Sequence, residues 1–183
     1  RTFSSKRIHI GMDEAFSVGL GKHLALHGYE ERYNLIVRHL DRVCKIAAKY
    51  GLETMIWSDM FVKLGFSVGD YYAIDGDKVK KPDADIPKNV SLVYWDYYSD
   101  DYDHYMQLIK VNKMFGRNVV FAGGVWTWRG FAPDNAFSLK VAAPAIKACR
   151  DSRIKDVIFA MWGDDGGECP KNAVLPSLFY ISQ

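Results

Sequence analysis

The chain changes hydrophobic period several times, and each change marks an element. Ile8 and Ile10 alternate with His9, which predicts a strand over 7–11. Residues 15–28 carry Gly19, Gly21 and Gly28 and read as a connection; they lack the Gly-Lys-Ser/Thr ending of a phosphate loop. Over 29–50 the apolar residues Tyr33, Ile36, Val37, Leu40, Val43, Cys44, Ala47 and Ala48 recur at helical spacing, and Gly51 supplies a stop. A second strand follows over 52–57, Leu-Glu-Thr-Met-Ile-Trp. Residues 62–89 keep no period, and Asp75 to Pro87 reads as loop. Strands are predicted again over 90–95, 118–125 and 156–161, with helices over 101–115 and 134–150 and a last helix starting near Asn172.

Near-continuous apolar strands that alternate with helices predict an α/β fold, a parallel sheet covered on both faces. Four successive strands run into tryptophan, at Trp57, Trp95, Trp126 and Trp162, and the first runs into Asp13-Glu14. Parallel strands end on one edge, so these residues are expected to gather there. Five strands cannot close a (β/α)8 barrel, which takes about 250 residues. The sheet is therefore open, or residues 1–183 are one partial catalytic barrel domain supplying strands four to eight, with the first three strands absent.

Composition narrows the function. A formal net charge of +2 provides no field that selects nucleic acid or an anionic membrane. The cluster Lys78, Lys80 and Lys81 reads as a solvated loop. No run of about 18 apolar residues predicts a membrane span. No leader is visible, although the chain starts at Arg1 without an initiator Met. Cys44, Cys149 and Cys169 have no metal-ligand spacing, and Cys44 fits the apolar stripe of a helix. His23, His27, His39 and His104 lie apart from acids at ligand spacing, so no metal and no cofactor are expected. His9 is read either as a support for the acids or as a core histidine.

Tryptophans beside carboxylates suit a sugar: indole rings take the apolar C–H faces, and acids accept from hydroxyls. Two carboxylates also suit cleavage of a glycosidic bond. Adjacent side chains of an extended segment diverge, however, so Asp13 and Glu14 are badly placed to flank one bond as nucleophile and acid. A division of labour fits better, in which one protonates the leaving oxygen and the other holds a neighbouring substrate group. That is the logic of substrate assistance.

His9-Ile10-Gly11-Met12-Asp13-Glu14 resembles the His-x-Gly-Gly-Asp-Glu motif of glycoside hydrolase family 20, the β-N-acetylhexosaminidases. Trp57-Ser58-Asp59-Met60-Phe61 resembles the family's segment after barrel strand five, and Trp162-Gly163-Asp164 its Trp-Gly-Glu segment after strand eight. The likeness is closest to a bacterial branch of exo-acting enzymes, cytoplasmic or exported. It implies that Glu14 is the general acid/base and that Asp13 orients the 2-acetamido group, whose carbonyl oxygen is the nucleophile. Burial against the tryptophans and the nearby Asp13 would keep Glu14 protonated. By the same resemblance Trp57, Trp95 and Trp126 or Trp128 wall the acetamido group and ring. Trp162 stacks under the terminal sugar, Asp164 binds its 4- or 6-hydroxyl, and Tyr97, with Tyr94 and Tyr98 open, donates to the acetamido oxygen. The implied partner is a glycan ending in N-acetylglucosamine or N-acetylgalactosamine; a second is the missing half of the barrel, or another copy of the chain.

The chain departs from the family at Met12, where the motif has glycine, and at Trp126-Thr127-Trp128-Arg129, where the family has a tyrosine-containing segment. The family's arginine on the first strand has no counterpart, and Arg129 is not put in its place. Asp59 is expected to serve the surroundings of the acid pair or to cap a turn. Asp96 is read as orienting a hydroxyl or capping a helix; Asp165 and Glu168 as sugar contacts or a plain turn. The alternatives are a sugar-binding barrel without turnover and a fragment that needs its other half. An open doubly wound α/β-hydrolase is the weakest alternative, since it would need a Gly-x-Ser-x-Gly elbow and none is present.

Overall fold

A computed structural model describes residues 4–80, 82–83, 85–116, 118–164 and 166–183, so Lys81 and Asp165 lie outside the described residues. Five strands lie in one sheet in chain order: β1 (Arg7–His9), β2 (Glu53–Trp57), β3 (Val90–Trp95), β4 (Val119–Gly124) and β5 (Val157–Ala160). They pair in parallel, and β1 and β5 are the end strands, so this α/β sheet is not a closed eight-stranded barrel. The helices are α1 (Lys22–His27), α2 (Arg32–Lys49), α3 (Asp59–Gly65), α4 (Tyr102–Phe115), α5 (Asn135–Asp151) and α6 (Leu175–Ile181), the last preceded by a 3-10 turn at Lys171–Val174. No helix among the described residues is long and apolar enough to cross a membrane. Contacts divide the chain into two compact units, Arg1–Tyr94 with Lys110–Val119, and Trp95–Ile109 with Val120–Gln183.

In the first unit, α2 buries Tyr33, Ile36, Leu40, Cys44 and Ala47, the stripe its periodicity predicts, and packs on β2 and α3. Its start is fixed by Glu31, whose carboxylate accepts from Asn34 N–H at 2.8 Å. Its end is followed by Gly51 at φ +67°, a conformation glycine adopts without a Cβ clash. Cys44 is 3% exposed and its Sγ lies 3.2 Å from Thr54 Oγ1. Among the described residues strand β1 pairs only with β2, and Ile8 is 40% exposed. Two amides along β1 are taken by nearby side chains: Arg7 N–H donates to Ser5 Oγ at 3.0 Å, and Gly11 N–H to His9 Nδ1 at 3.1 Å.

In the second unit, the β4 residues 120–124 are all buried, as a strand covered on both faces requires. Strand β5 is more open, with Val157 and Ile158 exposed. Helix α5 is capped by Asp134, whose carboxylate accepts from Phe137 N–H at 2.9 Å, and it packs against α6.

Two helices depart from the sequence reading. Helix α1 sits in the connection expected to be irregular, and α3 begins at Asp59, directly after β2. Both are short: α1 buries no residue, and the first turn of α3 buries all of Asp59, Met60, Phe61 and Val62, so neither shows an amphipathic period.

Candidate active site

The acid pair belongs to the first unit. Pairing with β2 runs past the end of β1, through Ile10 N–H to Met55 C=O at 2.9 Å and Trp57 N–H to Gly11 C=O at 3.3 Å. The chain then leaves the sheet in a tight turn. Gly11 has φ +71°, Met12 φ +71° and Glu14 φ +48°. Left-handed backbone costs a residue with a Cβ roughly 1–2 kcal/mol. Met12 and Glu14 both carry that cost, so something must hold the turn. One anchor is visible: Asp59, 4% exposed at the start of α3, accepts from Glu14 N–H through Oδ2 at 2.9 Å. Asp59 thus serves the surroundings of the acid pair, as expected.

Asp13 and Glu14 themselves are exposed. The burial anticipated around Glu14 is not supplied by the described residues. His9 lies behind the turn, its ring 4.4 Å from that of Trp57. Its Nδ1 accepts from Gly11 N–H, so the neutral ring carries its proton on Nε2, and Nε2 is buried without a hydrogen-bond partner among the described residues. Burial lowers the His9 pKa, and the charge of Asp13 opposes this. Beside the turn is a cavity of about 1020 Å3, whose lining includes Met12, Ala15, Leu35, Arg42, Ile46 and Lys49.

The aromatic cluster belongs to the second unit. Tyr97, Trp126 and Trp128 are 6%, 4% and 8% exposed, with Trp95 and Phe137 packed against them. Trp126 and Trp128 stack with centroids 4.5 Å apart, and Tyr97 meets Trp128 edge-on at 5.1 Å. This closeness depends on Gly124: a Cβ there would stand 2.9 Å from both Trp128 and Tyr97. Trp126 is tied on all sides. Its N–H donates to Ser138 Oγ at 2.8 Å, its indole donates to Tyr97 C=O at 2.9 Å, and its C=O accepts from Asp134 N–H at 2.9 Å. Arg129 lies over its ring at 4.9 Å. Most of the Trp126 surface is therefore occupied by protein.

Trp162 is the open member of the group at 36% exposure. Its indole N–H donates to Tyr97 Oη at 3.0 Å. Burial, then the neighbouring Tyr98 and Asp164, push the Tyr97 phenol well above its ordinary range, so it stays neutral and able to donate. Tyr94 is 0% exposed, whereas Tyr98 is 47% exposed with its ring 4.7 Å from Tyr97. Asp164 is exposed on the turn after β5, and Glu168 is exposed a little further on.

Sequence reasoning missed one pair. Asp96, 1% exposed, accepts from Tyr98 N–H at 3.2 Å and lies 2.7 Å from His104 Nε2. Asp96 therefore shapes the backbone turn that carries Tyr97 and Tyr98, and His104 is not a plain surface histidine. The only available signal was a histidine one turn into the helix that follows a strand ending in Asp. Among the described residues no group of three or more His, Cys, Asp or Glu side chains is placed to hold a metal ion.

The chain matches no described family profile and no curated protein sequence. A functional reading therefore rests on the three short motifs and on the geometry around them.

Proposed function

We propose that the chain is the strand-four-to-eight portion of a family 20-type barrel and serves exo-β-N-acetylhexosaminidase chemistry. The observation that carries this reading is the strained turn at Gly11–Glu14, anchored to buried Asp59. Backbone strain persists where surrounding structure over-determines it, and it clusters at functional sites. Here it presents two adjacent carboxylates at the C-terminal end of a parallel strand, the edge where such sheets carry their chemistry.

In the proposed reaction, Glu14 gives its proton to the glycosidic oxygen as the bond to C1 breaks. The acetamido carbonyl oxygen attacks C1 from the opposite face, and Asp13 accepts from the acetamido N–H. The oxazolinium ion so formed keeps its N–H on the Asp13 carboxylate and is opened by water, whose proton passes to the Glu14 carboxylate, and two inversions retain the configuration. Trp57, Trp95 and Trp162 provide apolar surface for sugar and acetamido methyl, Tyr97 the donor to the acetamido oxygen, and Asp164 the contact to a ring hydroxyl, while Trp126 and Trp128, 4% and 8% exposed, support Tyr97 through the cluster. The proposed partners are glycans that end in N-acetylhexosamine and, at the open edge of β1, the remaining barrel strands or a second copy.

The test is release of p-nitrophenol from the β-N-acetylglucosaminide and from the β-glucoside, with Asp13→Asn and Glu14→Gln in parallel. Turnover of the acetamido sugar alone, lost in both variants, is expected. Equal turnover of the glucoside would overturn substrate assistance. The exposure of both carboxylates favours a second reading, sugar binding without turnover by this chain alone. Binding of N-acetylglucosamine with no release of p-nitrophenol would select it.

A further inference from the structure

Trp162 is held from the neighbouring strand end. Between β4 and β5 the acceptors fall on every second residue of the outer strand: Phe121 N–H donates to Asp156 C=O at 3.1 Å, and Val125 N–H to Ala160 C=O at 3.0 Å. The next acceptor in that series is Trp162 C=O, and the next donor would be Thr127 N–H. Thr127 does reach Trp162 C=O, but with its hydroxyl, at 2.6 Å. Thr127 is 3% exposed, so this hydroxyl has left water and needs its acceptor. A side-chain bond in place of a ladder bond releases the chain after Ala160 from the straight register while still fixing its backbone. The second hold is on the ring, where the Trp162 indole N–H donates to Tyr97 Oη at 3.0 Å. Tyr97 is in turn pinned at its carbonyl by Trp126 Nε1 at 2.9 Å.

One bond on the backbone and one at the far end of the indole fix both the position and the plane of the ring of a residue that is 36% exposed. An exposed tryptophan held only by its backbone would sample several rotamers and lose that freedom on binding. We propose that Thr127 is a positioning residue which, with Tyr97, locks the Trp162 indole as a preformed platform for the apolar face of a pyranose ring. This rests on the sugar reading given above, and its test separates the two.

The experiment uses the 15N-labelled full chain, with the Trp162 indole resonance assigned by its loss in Trp162→Phe. In the wild type the Trp162 indole proton should exchange slowly for an exposed ring. Thr127→Val, which keeps the volume and removes the hydroxyl, should speed that exchange about five- to tenfold, the weight of one hydrogen bond, and leave the Trp126 indole unchanged. Thr127→Ser should restore slow exchange, which separates loss of the hydroxyl from general loosening of the unit. Tyr97→Phe removes the ring contact directly and should speed exchange at least as much. N-acetylglucosamine is then titrated into each protein and should shift the Trp162 resonance, with affinity about five- to tenfold weaker in Thr127→Val. Equal exchange rates in the wild type, Thr127→Val and Tyr97→Phe would overturn the lock. A slowly exchanging indole that N-acetylglucosamine never shifts would overturn the sugar platform and leave the lock standing.

Discussion

Met12 offers a sharp test of the strained turn. At ordinary helical or extended angles, alanine is more stable than glycine by about 0.5–1 kcal/mol, because glycine loses more backbone freedom on folding. Met12 has φ +71°, where any Cβ costs roughly 1–2 kcal/mol. The steric cost outweighs the entropy term, and the order should reverse: Met12→Gly should be more stable than Met12→Ala by about 0.5–1 kcal/mol. The two variants lose nearly the same side chain from the cavity wall beside Leu35 and Ile46, so the apolar contribution largely cancels between them. Against methionine, that wall contributes on the order of 1 kcal/mol for a partly exposed side chain. Met12→Gly should therefore lie close to the wild type and Met12→Ala about 1 kcal/mol below it. For a chain of this size 1 kcal/mol moves the Tm by about 2–4 °C, within reach of thermal melts followed by far-UV circular dichroism, with urea titration checking that the m-value is constant. Met12→Ala melting at or above Met12→Gly would refute the left-handed conformation and the strain argument with it.

Three further outcomes are expected. Asp59→Ala removes the charged acceptor for Glu14 N–H and should cost about 1.5–3 kcal/mol, with Asp59→Asn recovering part; both are read by denaturant titration, and an unchanged midpoint would contradict the anchoring role. Gly124→Ala drives a Cβ against Trp128 and Tyr97 and should destabilise by about 1–3 kcal/mol with a changed near-UV spectrum, whereas an unaltered spectrum would mean the cluster is looser than described. The His9 pKa is lowered in the folded chain from 6.5, so the unfolded chain binds the proton first: stability should fall as pH drops from about 6.5 toward the folded pKa and then level off. His9→Gln should remove that part of the slope, and superimposable pH profiles of the two proteins would refute it.

The five strands were legible because their signal is local: short apolar runs ending in Trp or acid, separated by helical spacing or loop. Helix α2 was legible for the same reason, since its buried stripe follows a single period. Helices α1 and α3 were hidden because six and seven residues are too few for a period to emerge. The role of Asp59 could be anticipated from its place in the Trp57–Phe61 motif. The strain at Met12 could not, since methionine says nothing about φ. Nor could the burial of Trp126, which is decided by Ser138, Phe137 and Asp134 on the following turn and helix. The Asp96–His104 pair was hidden for a related reason: eight residues and a change of element separate the partners, and only the fold brings them together.

The capped amides of β1 make the edge a selective template for a further strand. An added strand would find Arg7 N–H held by Ser5 and Gly11 N–H held by the imidazole of His9, and would have to displace both side chains before its own ladder could form. Backbone pairing alone gains little by that exchange. A newcomer succeeds only if it also covers Ile8, which discriminates against indiscriminate edge-to-edge growth. The exchange at Gly11 also releases Nδ1 of His9. Occupation of the edge by a further strand and the hydrogen bonding of the ring behind the acid pair are thereby linked.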